Sequence, residues 1–336
     1  MFSGLSVSGA VKVAIPVALG LWTFKHIGKI IGRMEVLGKA RKAAKKAAKE
    51  DEVAAHGASI NTDASEIPVV TGIKGIDGFL DVITNFFEDL VDDGAGYVIW
   101  ITIISFMLPG TTWFAFEGLR EGGLSMHFAY PFFALLSQLL GISVVVPLLW
   151  LPLYLLTAPI VTGSTLSPLA IASVVVGIVL GQIPTLLMSI YPKSLIRTKA
   201  IQWFQISVAL AWIPWAASPF AFAADFNNLH APEATFFFTL GAAGVVVYVW
   251  ILSQLLDTKN RIADRVWGLN SFDACKEDMV KLVGHYMFVD TIVLYAALVY
   301  AVAMKGGVEY GAYVVALTPV VGPGAAISFA LGYLAM

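Results

Sequence analysis

Residues 95–123, AGYVIWITIISFMLPGTTWFAFEGLREGG, decide the fold class of this chain and raise the question of its function. The run at residues 95–116 is uncharged, and it is long enough to cross a bilayer as a helix, which takes about 20 residues. Glu117 follows directly, where the predicted helix meets its exit loop. A charge in lipid is costly without a partner or a role, so Glu117 is a candidate functional residue.

The composition of the whole chain agrees with a membrane-embedded fold. Of its 336 residues, 58% are hydrophobic and only 13% are charged, whereas soluble domains carry about 25% charged residues. We therefore expect an all-α, polytopic integral membrane helical bundle. The net charge of −2 gives no indication of a nucleic-acid partner. A single cysteine, Cys275, excludes an internal disulfide and disfavours a thiolate metal site.

Seven uncharged or nearly uncharged runs predict seven transmembrane helices, since each is long enough to span the bilayer. They are residues 95–116, 128–157, 168–191, 200–224, 234–256, 286–304 and 310–336. Residues 3–24 form a further apolar segment with Lys12 in its middle, and this segment either crosses the membrane or lies in its interface. The sequence shows no obvious internal repeat and no soluble domain.

These patterns divide the chain into three regions. Residues 1–67 combine the N-terminal apolar segment, a basic helix and a linker at residues 56–65. Residues 68–94 form an amphipathic interfacial helix, in which apolar residues recur at helical spacing opposite acidic ones. Residues 95–336 form the transmembrane catalytic bundle. The nine Lys and Arg residues of segment 25–49 either attract anionic lipid head groups or cover a solvated helix.

Counting the crossings assigns each loop to one of two faces. The loops near residues 117–127, 191–199 and 257–285 are predicted to share one face, called face B. The interfacial helix and the loops near residues 162, 225–233 and 305–309 are predicted to share the other, called face A. The positive-inside rule does not decide the orientation, because both faces then carry basic residues. The spread of these residues over three face-B loops favours a cytosolic face B.

A second acid, Asp290, lies inside the sixth run, close to its face-B end. The crossing count places Glu117 on the same face, so we expect the two carboxyl groups to meet as catalytic residues. Side chains predicted at similar depth would line a substrate pocket around them: Trp113, Gln138, Gln182, Trp203, Gln205, His285 and Tyr286. Residues of these types also serve as interhelical packing contacts and as the interfacial aromatic belt.

No motif for a metal or a nucleotide stands out, and we expect no cofactor. Residues 88–93, EDLVDD, resemble the acid-rich motif that holds magnesium in prenyl-transferring enzymes. The crossing count, however, places the candidate partner acids of the loop at residues 257–285 on the opposite face. A further cluster, Asp225, His230 and Glu233, fits a turn followed by a helix N-terminus, where an acid is favourable.

Two carboxylic acids in an apolar, aromatic-rich cavity suit one kind of chemistry. Burial disfavours a charged carboxylate, so a buried acid keeps its proton and can act as a general acid. Aromatic faces stabilise a developing carbocation. Together they suit protonation of an epoxide or alkene in a lipid-soluble substrate, followed by ring closure. Asp290 is the first choice as proton donor, and Glu117 would share the proton or accept one.

Five sequence blocks carry a resemblance to a fungal family and occur in the family's order: TGIKGIDGFLDVITNFFEDLVDDG, WFAFEGLREGG, YPFFALLSQLLGISVVVPLLWLPLYLL, YMFVDTIVLYAALVYA and VVGPGAAISFALGYLAM. Over residues 68–336, the chain resembles the membrane-bound terpene cyclases of the ascochlorin and ascofuranone meroterpenoid pathways. The resemblance implies an integral membrane enzyme that cyclises an epoxidised prenyl chain on an aromatic precursor by acid catalysis. We expect this membrane to be the endoplasmic reticulum. It implies Glu117 and Asp290 as the acids.

Other functions stay open at this point. A sterol-type double-bond isomerase would use the same acid but leave the number of rings unchanged, and a membrane prenyltransferase would need magnesium. A transporter or lipid-binding protein should show two related halves with broken helices near the midplane. The expected partners are a lipid-soluble prenylated small molecule and membrane lipids, with no nucleic acid.

Overall fold

The computed structural model describes residues 7–56, 72–119, 124–157, 166, 168–208, 232–257 and 259–336. This part of the chain is all-helical and contains no strand. Its elements are α1 (Val7–His56), α2 (Lys74–Asp92), α3 (Gly94–Leu119), α4 (Leu124–Leu140), α5 (Ile142–Val145), a π-helical turn (Val146–Trp150), α6 (Leu151–Thr157), α7 (Pro168–Ile190), α8 (Leu195–Ser207), α9 (Pro232–Leu255), α10 (Ile262–Gly268), α11 (Phe272–Cys275), α12 (Met279–Gly306), α13 (Val308–Val321) and α14 (Pro323–Leu334).

Five of these helices are long and apolar enough to cross a membrane: α1 over residues 10–48, α3, α7, α9 over residues 233–255, and α12. The helical fold and its apolar helices are compatible with the predicted membrane protein. The described residues do not reproduce the predicted number of seven crossings. Two of the predicted runs, at residues 128–157 and 310–336, are each divided into shorter helices.

Some predicted elements lie mainly outside the described residues. They include most of the fourth predicted run, at residues 200–224, of which α8 covers the beginning, and the residues Asp225 and His230. Glu233, the third member of that cluster, is 7% exposed and lies in the first turn of α9, as the interpretation of a helix N-terminus predicts.

Ion pairs fix which helix ends lie together. Lys193, in the loop after α7, binds Glu88 near the end of α2. Arg265, in the loop region between α9 and α12, binds Asp93 directly after α2. Both loops belong to face B, so α2 lies at face B, and its predicted position on face A is wrong.

The predicted face of Glu117 is wrong in the opposite direction. Lys305, at the C-terminal end of α12, binds Glu117 at the C-terminal end of α3. The loop after Lys305 belongs to face A, so Glu117 also lies at face A rather than at the predicted face B. Helices α3 and α12 therefore run in parallel from face B to face A.

The error in the crossing count arises at Gly141, which joins α4 to α5. Gly141 has a φ of +89°, a conformation that glycine adopts without the steric cost of a side chain. The N–H of Ser143 donates to Asp290 in the first half of α12, whereas the hydroxyl of Tyr154 donates to Glu117 at face A. After Gly141 the chain therefore runs back towards face A.

Helix α4 also begins near face A, because only four residues separate its first residue from the last residue of α3. Residues 124–157 thus enter the bundle from face A and return to it, and they are called the first hairpin. The predicted single crossing in this region is wrong. Because a hairpin does not change faces, every element before it lies on the face opposite to the predicted one.

A second hairpin, formed by α13 and α14, ends the chain. Helix α13 packs on α12 in the opposite direction, with the hydroxyls of Thr318 and Tyr295 in contact. Gly322 then breaks the helix with a φ of +89°. Helix α14 returns to face A, where a Cβ on Gly306 would lie 2.5 Å from the side chain of Leu334. The last predicted crossing is therefore also a hairpin.

Helix α1 joins the N-terminal apolar segment and the basic segment into one continuous helix. It lies antiparallel to α12, since the Tyr300 hydroxyl donates to the Lys12 carbonyl at 2.7 Å towards face A. Towards face B, His26 contacts His285 at 3.0 Å. Of the two alternatives for the N-terminal segment, this packing agrees with a helix that crosses the bundle. The predicted linker lies outside the described residues beyond His56.

The fold contains an internal repeat that was not apparent in the sequence. In one half, α1 runs to face B, α2 lies at face B, α3 runs back to face A, and the first hairpin follows. In the other half, α9, α10 with α11, α12 and the second hairpin follow the same course. Helices α7 and α8 lie between the two halves in the chain.

Matching contacts define the repeat. In each half, a glycine of the first helix packs on the part of the hairpin that follows its tip. Seven residues later, the same first helix packs on the glycine at the hairpin tip. The four contacts are Gly20–Leu148 and Ile27–Gly141 in the first half, and Gly241–Phe329 and Tyr248–Gly322 in the second. In each hairpin the glycine N–H also donates to the carbonyl four residues earlier, at 3.0 and 2.9 Å. The sequence shows no obvious repeat, because the likeness lies in contacts rather than in residue identities.

We predict that Gly322→Ala lowers the thermal stability of the protein. At a φ of 89° and a ψ of 158° an alanine is strained by about 1–3 kcal/mol, and its Cβ would lie 2.5 Å from the Tyr248 side chain. The lone cysteine makes the measurement possible. Cys275 is buried, and burial raises the pKa of its thiol, so a thiol-reactive dye should label it when the protein unfolds.

Gly28→Ala is the matched control, because nothing lies within 4 Å of a Cβ at Gly28. Alanine is favoured over glycine inside a helix, so this variant should unfold at the same temperature as the wild type or above it. If Gly322→Ala and Gly28→Ala unfold at the same temperature, the geometry of the second hairpin is wrong.

Candidate functional site

The two predicted catalytic acids lie in different parts of the bundle. Glu117 is bound to Lys305, whereas Asp290 lies fifteen residues before Lys305 on the same continuous helix, α12. A helix rises 1.5 Å per residue, so the two levels are about 22 Å apart, which is more than the side chains can bridge. The expectation that the two carboxyl groups meet is wrong. The bundle has a Glu117 centre at face A and an Asp290 centre in its face-B half.

Both oxygens of the Glu117 carboxylate have partners. Lys305 Nζ donates to Oε1, and the Tyr154 hydroxyl donates to Oε2 at 2.8 Å. The side chain of Glu117 is 6% exposed and that of Lys305 is 18% exposed, so the ion pair is largely removed from water. A carboxylate held by an ammonium group is stabilised in its charged form and is poorly suited to donate a proton.

Aromatic rings surround this ion pair. Lys305 Nζ lies 5.8 Å from the ring centroid of Trp113, within the range of a cation–π contact. Trp150 stacks on Tyr154 with ring centroids 5.0 Å apart. The indole N–H groups of Trp113 and Trp150 are buried and make no hydrogen bond in the part of the chain that the structure describes. The predicted pocket residue Trp113 therefore belongs to the Glu117 centre, not to the Asp290 centre.

Asp290 lies on α12 beside the tip of the first hairpin. Its Oδ1 accepts a hydrogen bond of 3.1 Å from the Ser143 N–H, one of the N–H groups that the break at Gly141 leaves without a helical partner. An apolar surrounding makes such a partner necessary, and a helix N-terminus favours an acid. Asp290 is 5% exposed, and Ser143 is its hydrogen-bond partner among the described residues. The Ser143 N–H therefore fixes one of the two carboxyl oxygens.

Tyr286 shares one face of α12 with Asp290, because the two are four residues apart. A Cβ on Gly141 would lie 2.7 Å from the Tyr286 hydroxyl and 3.5 Å from Asp290 Oδ1. The missing side chain at Gly141 thus makes room for both groups. Phe86 of α2 meets the Tyr286 ring edge-on, with centroids 5.3 Å apart. The predicted pocket residue Tyr286 is therefore beside Asp290, with an aromatic contact towards face B.

His285 joins α12 to two other segments. It is 2% exposed, with Nδ1 2.6 Å from the Leu269 carbonyl and Nε2 3.0 Å from His26 Nε2. A carbonyl oxygen can only accept, so Nδ1 of His285 donates to Leu269, whereas either ring can be the donor between the two Nε2 atoms. Both ring nitrogens of His285 are engaged by the protein, so a substrate contact would have to displace one of them.

The remaining predicted pocket residues differ in burial. Gln205 is 7% exposed and its Nε2 has no partner among the described residues, while Gln182 is half-buried with an unpaired Oε1. Gln138 is half-buried and precedes Gly141 by three residues. Trp203 is 59% exposed. The structure therefore places the three glutamines inside or partly inside the bundle and the Trp203 ring on its outer surface.

Several other buried polar atoms next to face B make no hydrogen bond within the described ranges. Besides Gln182 and Gln205, they belong to Thr84, Ser143, Thr185, Arg197 and Gln202. Sequence reasoning had no ground for selecting the serine and the two threonines, because such residues in helices usually bond their own backbone. Buried polar groups in native proteins have partners in protein, water or ligand. The face-B half, which includes Asp290, is therefore suited to a polar group of a ligand.

The acid-rich stretch at residues 88–93 is held in ion pairs. Each acid binds a base from another segment: Glu88–Lys193, Asp89–Arg41, Asp92–Arg197 and Asp93–Arg265. These contacts fasten α2 to its neighbours. The loop with the candidate partner acids lies on the same face, so the predicted separation is wrong. Within the described ranges, no three His, Cys, Asp or Glu side chains are placed to hold a metal ion.

Comparison with known proteins identifies a family for most of the chain. The family model described as the CtvD domain matches residues 45–256, and this family is named after a fungal meroterpenoid-pathway protein. The matched residues contain Glu117 and the first hairpin, whereas Asp290 lies beyond them. No curated protein and no solved structure matches the chain. The match agrees with the predicted meroterpenoid context. It does not identify the ascochlorin or ascofuranone cyclases as relatives.

We predict that Glu117→Gln destabilises the protein, because it removes the carboxylate from a buried ammonium group. Breaking a buried ion pair in this way costs about 3–5 kcal/mol. The double variant Glu117→Gln with Lys305→Met removes both charges and should regain much of the loss. The measurement is the temperature at which a thiol-reactive dye labels Cys275.

Glu35→Gln serves as the control, since Glu35 forms an exposed pair with Lys39 on one surface of α1. Such exposed pairs contribute little, so the unfolding temperature should stay unchanged. A double variant no more stable than Glu117→Gln alone would show that the ion pair is not the main contribution of Glu117.

Proposed function

Because the chain belongs to the CtvD-domain family, we propose that it is a membrane-bound terpene cyclase of a meroterpenoid pathway. Membership of the family suggests a membrane protein of secondary metabolism, and the proposal adds the reaction. The substrate is an epoxyprenyl or polyprenyl chain on a lipid-soluble precursor. The product is a cyclised isomer of equal mass, and the membrane is that of the endoplasmic reticulum.

The geometry of Asp290 carries this proposal. The Ser143 N–H fixes one carboxyl oxygen at 3.1 Å, and the side chain is almost wholly buried. A general acid has to come within about 2.6–3.2 Å of the atom that it protonates, and Oδ2 is the oxygen to which the Ser143 N–H does not donate. Burial disfavours the charged form of an acid that no base neutralises. These properties favour Asp290, rather than the ion-paired Glu117, as the proton donor.

The reaction follows from the acid and its aromatic neighbours. Asp290 passes its proton to the epoxide oxygen, the C–O bond breaks, and a C=C bond of the substrate attacks the developing cation to form a ring. Loss of a proton from the final cation restores the acid and balances the reaction. The rings of Tyr286 and Phe86 lie next to the acid and offer aromatic surface to a cation.

Glu117 acts as a positioning residue in this proposal, not as the partner of Asp290. Its bonds to Lys305 and Tyr154 hold the ends of α3, α12 and the first hairpin together at face A. The first hairpin also carries Ser143, which orients Asp290. A change at Glu117 can therefore reach the acid through the hairpin, without contact between the two carboxyl groups.

We predict that Asp290→Asn strongly slows cyclisation and leaves folding intact. The amide oxygen of asparagine still accepts from the Ser143 N–H, but asparagine has no acidic proton. The wild type and the variant are expressed in a fungal host fed an epoxyfarnesyl phenol, and the cyclised isomer is measured by chromatography and mass spectrometry. Removal of a general acid typically lowers the rate by about 10²–10⁴-fold.

Asp273→Asn is the matched control, because Asp273 is exposed on the surface next to α12. This variant should form the product at the wild-type rate. Full activity of Asp290→Asn, at equal expression and with the control also active, would contradict the role of Asp290 as proton donor.

A second candidate is a carrier for a lipid-soluble molecule. The internal repeat favours it, since many transporters consist of two related halves with broken helices near the midplane. An assay in detergent solution, where no compartments exist, distinguishes the two functions. A cyclase converts its substrate there, whereas a carrier leaves the substrate unchanged. A sterol-type isomerase would give a product of equal mass with no new ring.

We predict that face B is cytosolic. In the described chain, Lys12 and Lys305 are the only Lys and Arg residues in the face-A half, and the basic segment of α1 lies towards face B. The positive-inside rule then applies clearly. A glycosylation acceptor sequence appended after Met336, near face A, should be glycosylated in the endoplasmic reticulum and shift on a gel.

The matched insertion variant carries the same acceptor sequence after Asn270, in the face-B loop between α10 and α11. This variant should stay unglycosylated. Glycosylation in the face-B loop, with none at the C-terminus, would reverse the orientation.

A further inference from the structure

A cavity of about 240 Å³ lies beside the tip of the second hairpin. Side chains of α3, α9, α10 and α12 line it, among them Ile99, Ile251 and Phe288, and Pro323 of the hairpin tip completes the wall. It is larger than an engineered apolar cavity of about 150 Å³ that binds benzene in another protein. The cavity is thus large enough for part of a small organic chain.

The polar side chains of the lining are all satisfied within the protein. Thr102 donates to the Val98 carbonyl and Thr291 donates to the Met287 carbonyl, both at 2.7 Å. The hydroxyl of Tyr248, the third polar residue, donates to the Pro319 carbonyl at 3.0 Å. The other lining residues are apolar. A ligand in this cavity would find hydrocarbon surface and no free hydrogen-bond donor.

The internal repeat relates this cavity to the Asp290 centre. Tyr248 packs on Gly322 as Ile27 packs on Gly141, so the second hairpin tip corresponds to the tip that holds Asp290. Ser143 lies two residues after Gly141 and contacts Asp290. Gly324 lies two residues after Gly322 and packs against the backbone of Ser105. The second half therefore has a serine of α3 where the first half has its acid. Its cavity resembles the Asp290 centre in position but lacks its proton donor.

The cavity reaches the outer surface of the bundle. Ile292 lines it and is 51% exposed, so its α12 wall continues onto the outside. On α9, the neighbouring outer surface carries Val246 and Val249, which are 71% and 61% exposed. Both helices are long and apolar enough to span a membrane. The opening between them therefore faces the region that lipid acyl chains occupy around a spanning helix.

We propose that this cavity is a binding site for one acyl chain of a membrane lipid, separate from the Asp290 centre. The chain enters between α9 and α12 and rests against Pro323, and the lipid head group stays outside. Because no lining side chain is acidic or offers a free hydrogen bond, the site binds the acyl chain without catalysing a reaction. The inference does not depend on the cyclase activity.

The test is photolabelling of the full-length protein in nanodiscs of phosphatidylcholine that carries a diazirine on its acyl chain. After irradiation, peptide mass spectrometry locates the adducts. We expect adducts concentrated on lining residues such as Ile251, Phe288 and Ile292. Adducts spread evenly over the outer surfaces of all spanning helices would overturn the proposal.

A matched pair of variants provides the control. Leu255→Trp adds volume to a lining residue, whereas Leu256→Trp adds it to the neighbouring residue, which is 75% exposed. Because the larger side chain takes up part of the cavity, labelling of the lining should fall by about tenfold in Leu255→Trp. It should stay unchanged in Leu256→Trp. Equal labelling of the lining in both variants would also overturn the proposal.

A second probe distinguishes the source of the chain. A diazirine derivative of farnesyl phenol is irradiated with the protein in nanodiscs of unlabelled phosphatidylcholine. If it labels the lining strongly and the lipid probe does not, the cavity holds a prenyl tail and the acyl-chain proposal is wrong. Labelling by the lipid probe alone supports the proposal. Cyclisation can fail in the assay above without changing this result, so the two proposals are tested separately.

Discussion

The hydrogen bond from the Ser143 N–H to Asp290 Oδ1 joins the fold to the candidate chemistry. A helix that breaks inside an apolar bundle exposes N–H groups that water does not reach, and these groups require acceptors. Asp290 meets this need with one oxygen, and the first hairpin depends on the contact. The same contact orients the acid. The Asp290 side chain thus both accepts the hydrogen bond that the hairpin requires and serves as the candidate acid.

The two hairpins follow from two glycines, and this explains which parts of the fold the sequence could predict. Long apolar runs predicted helices correctly, because burial in lipid needs about 20 apolar residues. Gly141 and Gly322 lie within such runs, where a break in the helix leaves the apolar composition unchanged. Their positive φ values depend on contacts with α1 and α9 that are distant in sequence. One missed reversal then moved α2 and Glu117 to the wrong faces.

The candidate site was predictable to a similar extent. Asp290 is identifiable from the sequence because a lone acid inside an apolar run is costly. The pairing of Glu117 with Lys305 was not, since it depends on the direction of α3 relative to α12. The hydroxyls of Thr84 and Thr185, which are buried and make no hydrogen bond among the described residues, were also not predicted, because isolated hydroxyl residues are common in helices. The repeat adds an asymmetry: both halves form a hairpin tip against a central helix, but one tip carries the acid and the other borders an apolar cavity.

The most direct measurement of the central claim is an experimental structure with a bound prenyl amine, whose ammonium group mimics a protonated epoxide. With Asp290 as the proton donor, the ammonium nitrogen should lie within about 2.6–3.2 Å of Asp290 Oδ2, with the prenyl chain against Tyr286 and Phe86. An ammonium group bound instead at the Glu117 centre, with Asp290 contacting only Ser143, would contradict this role and leave Asp290 as a structural cap of the hairpin.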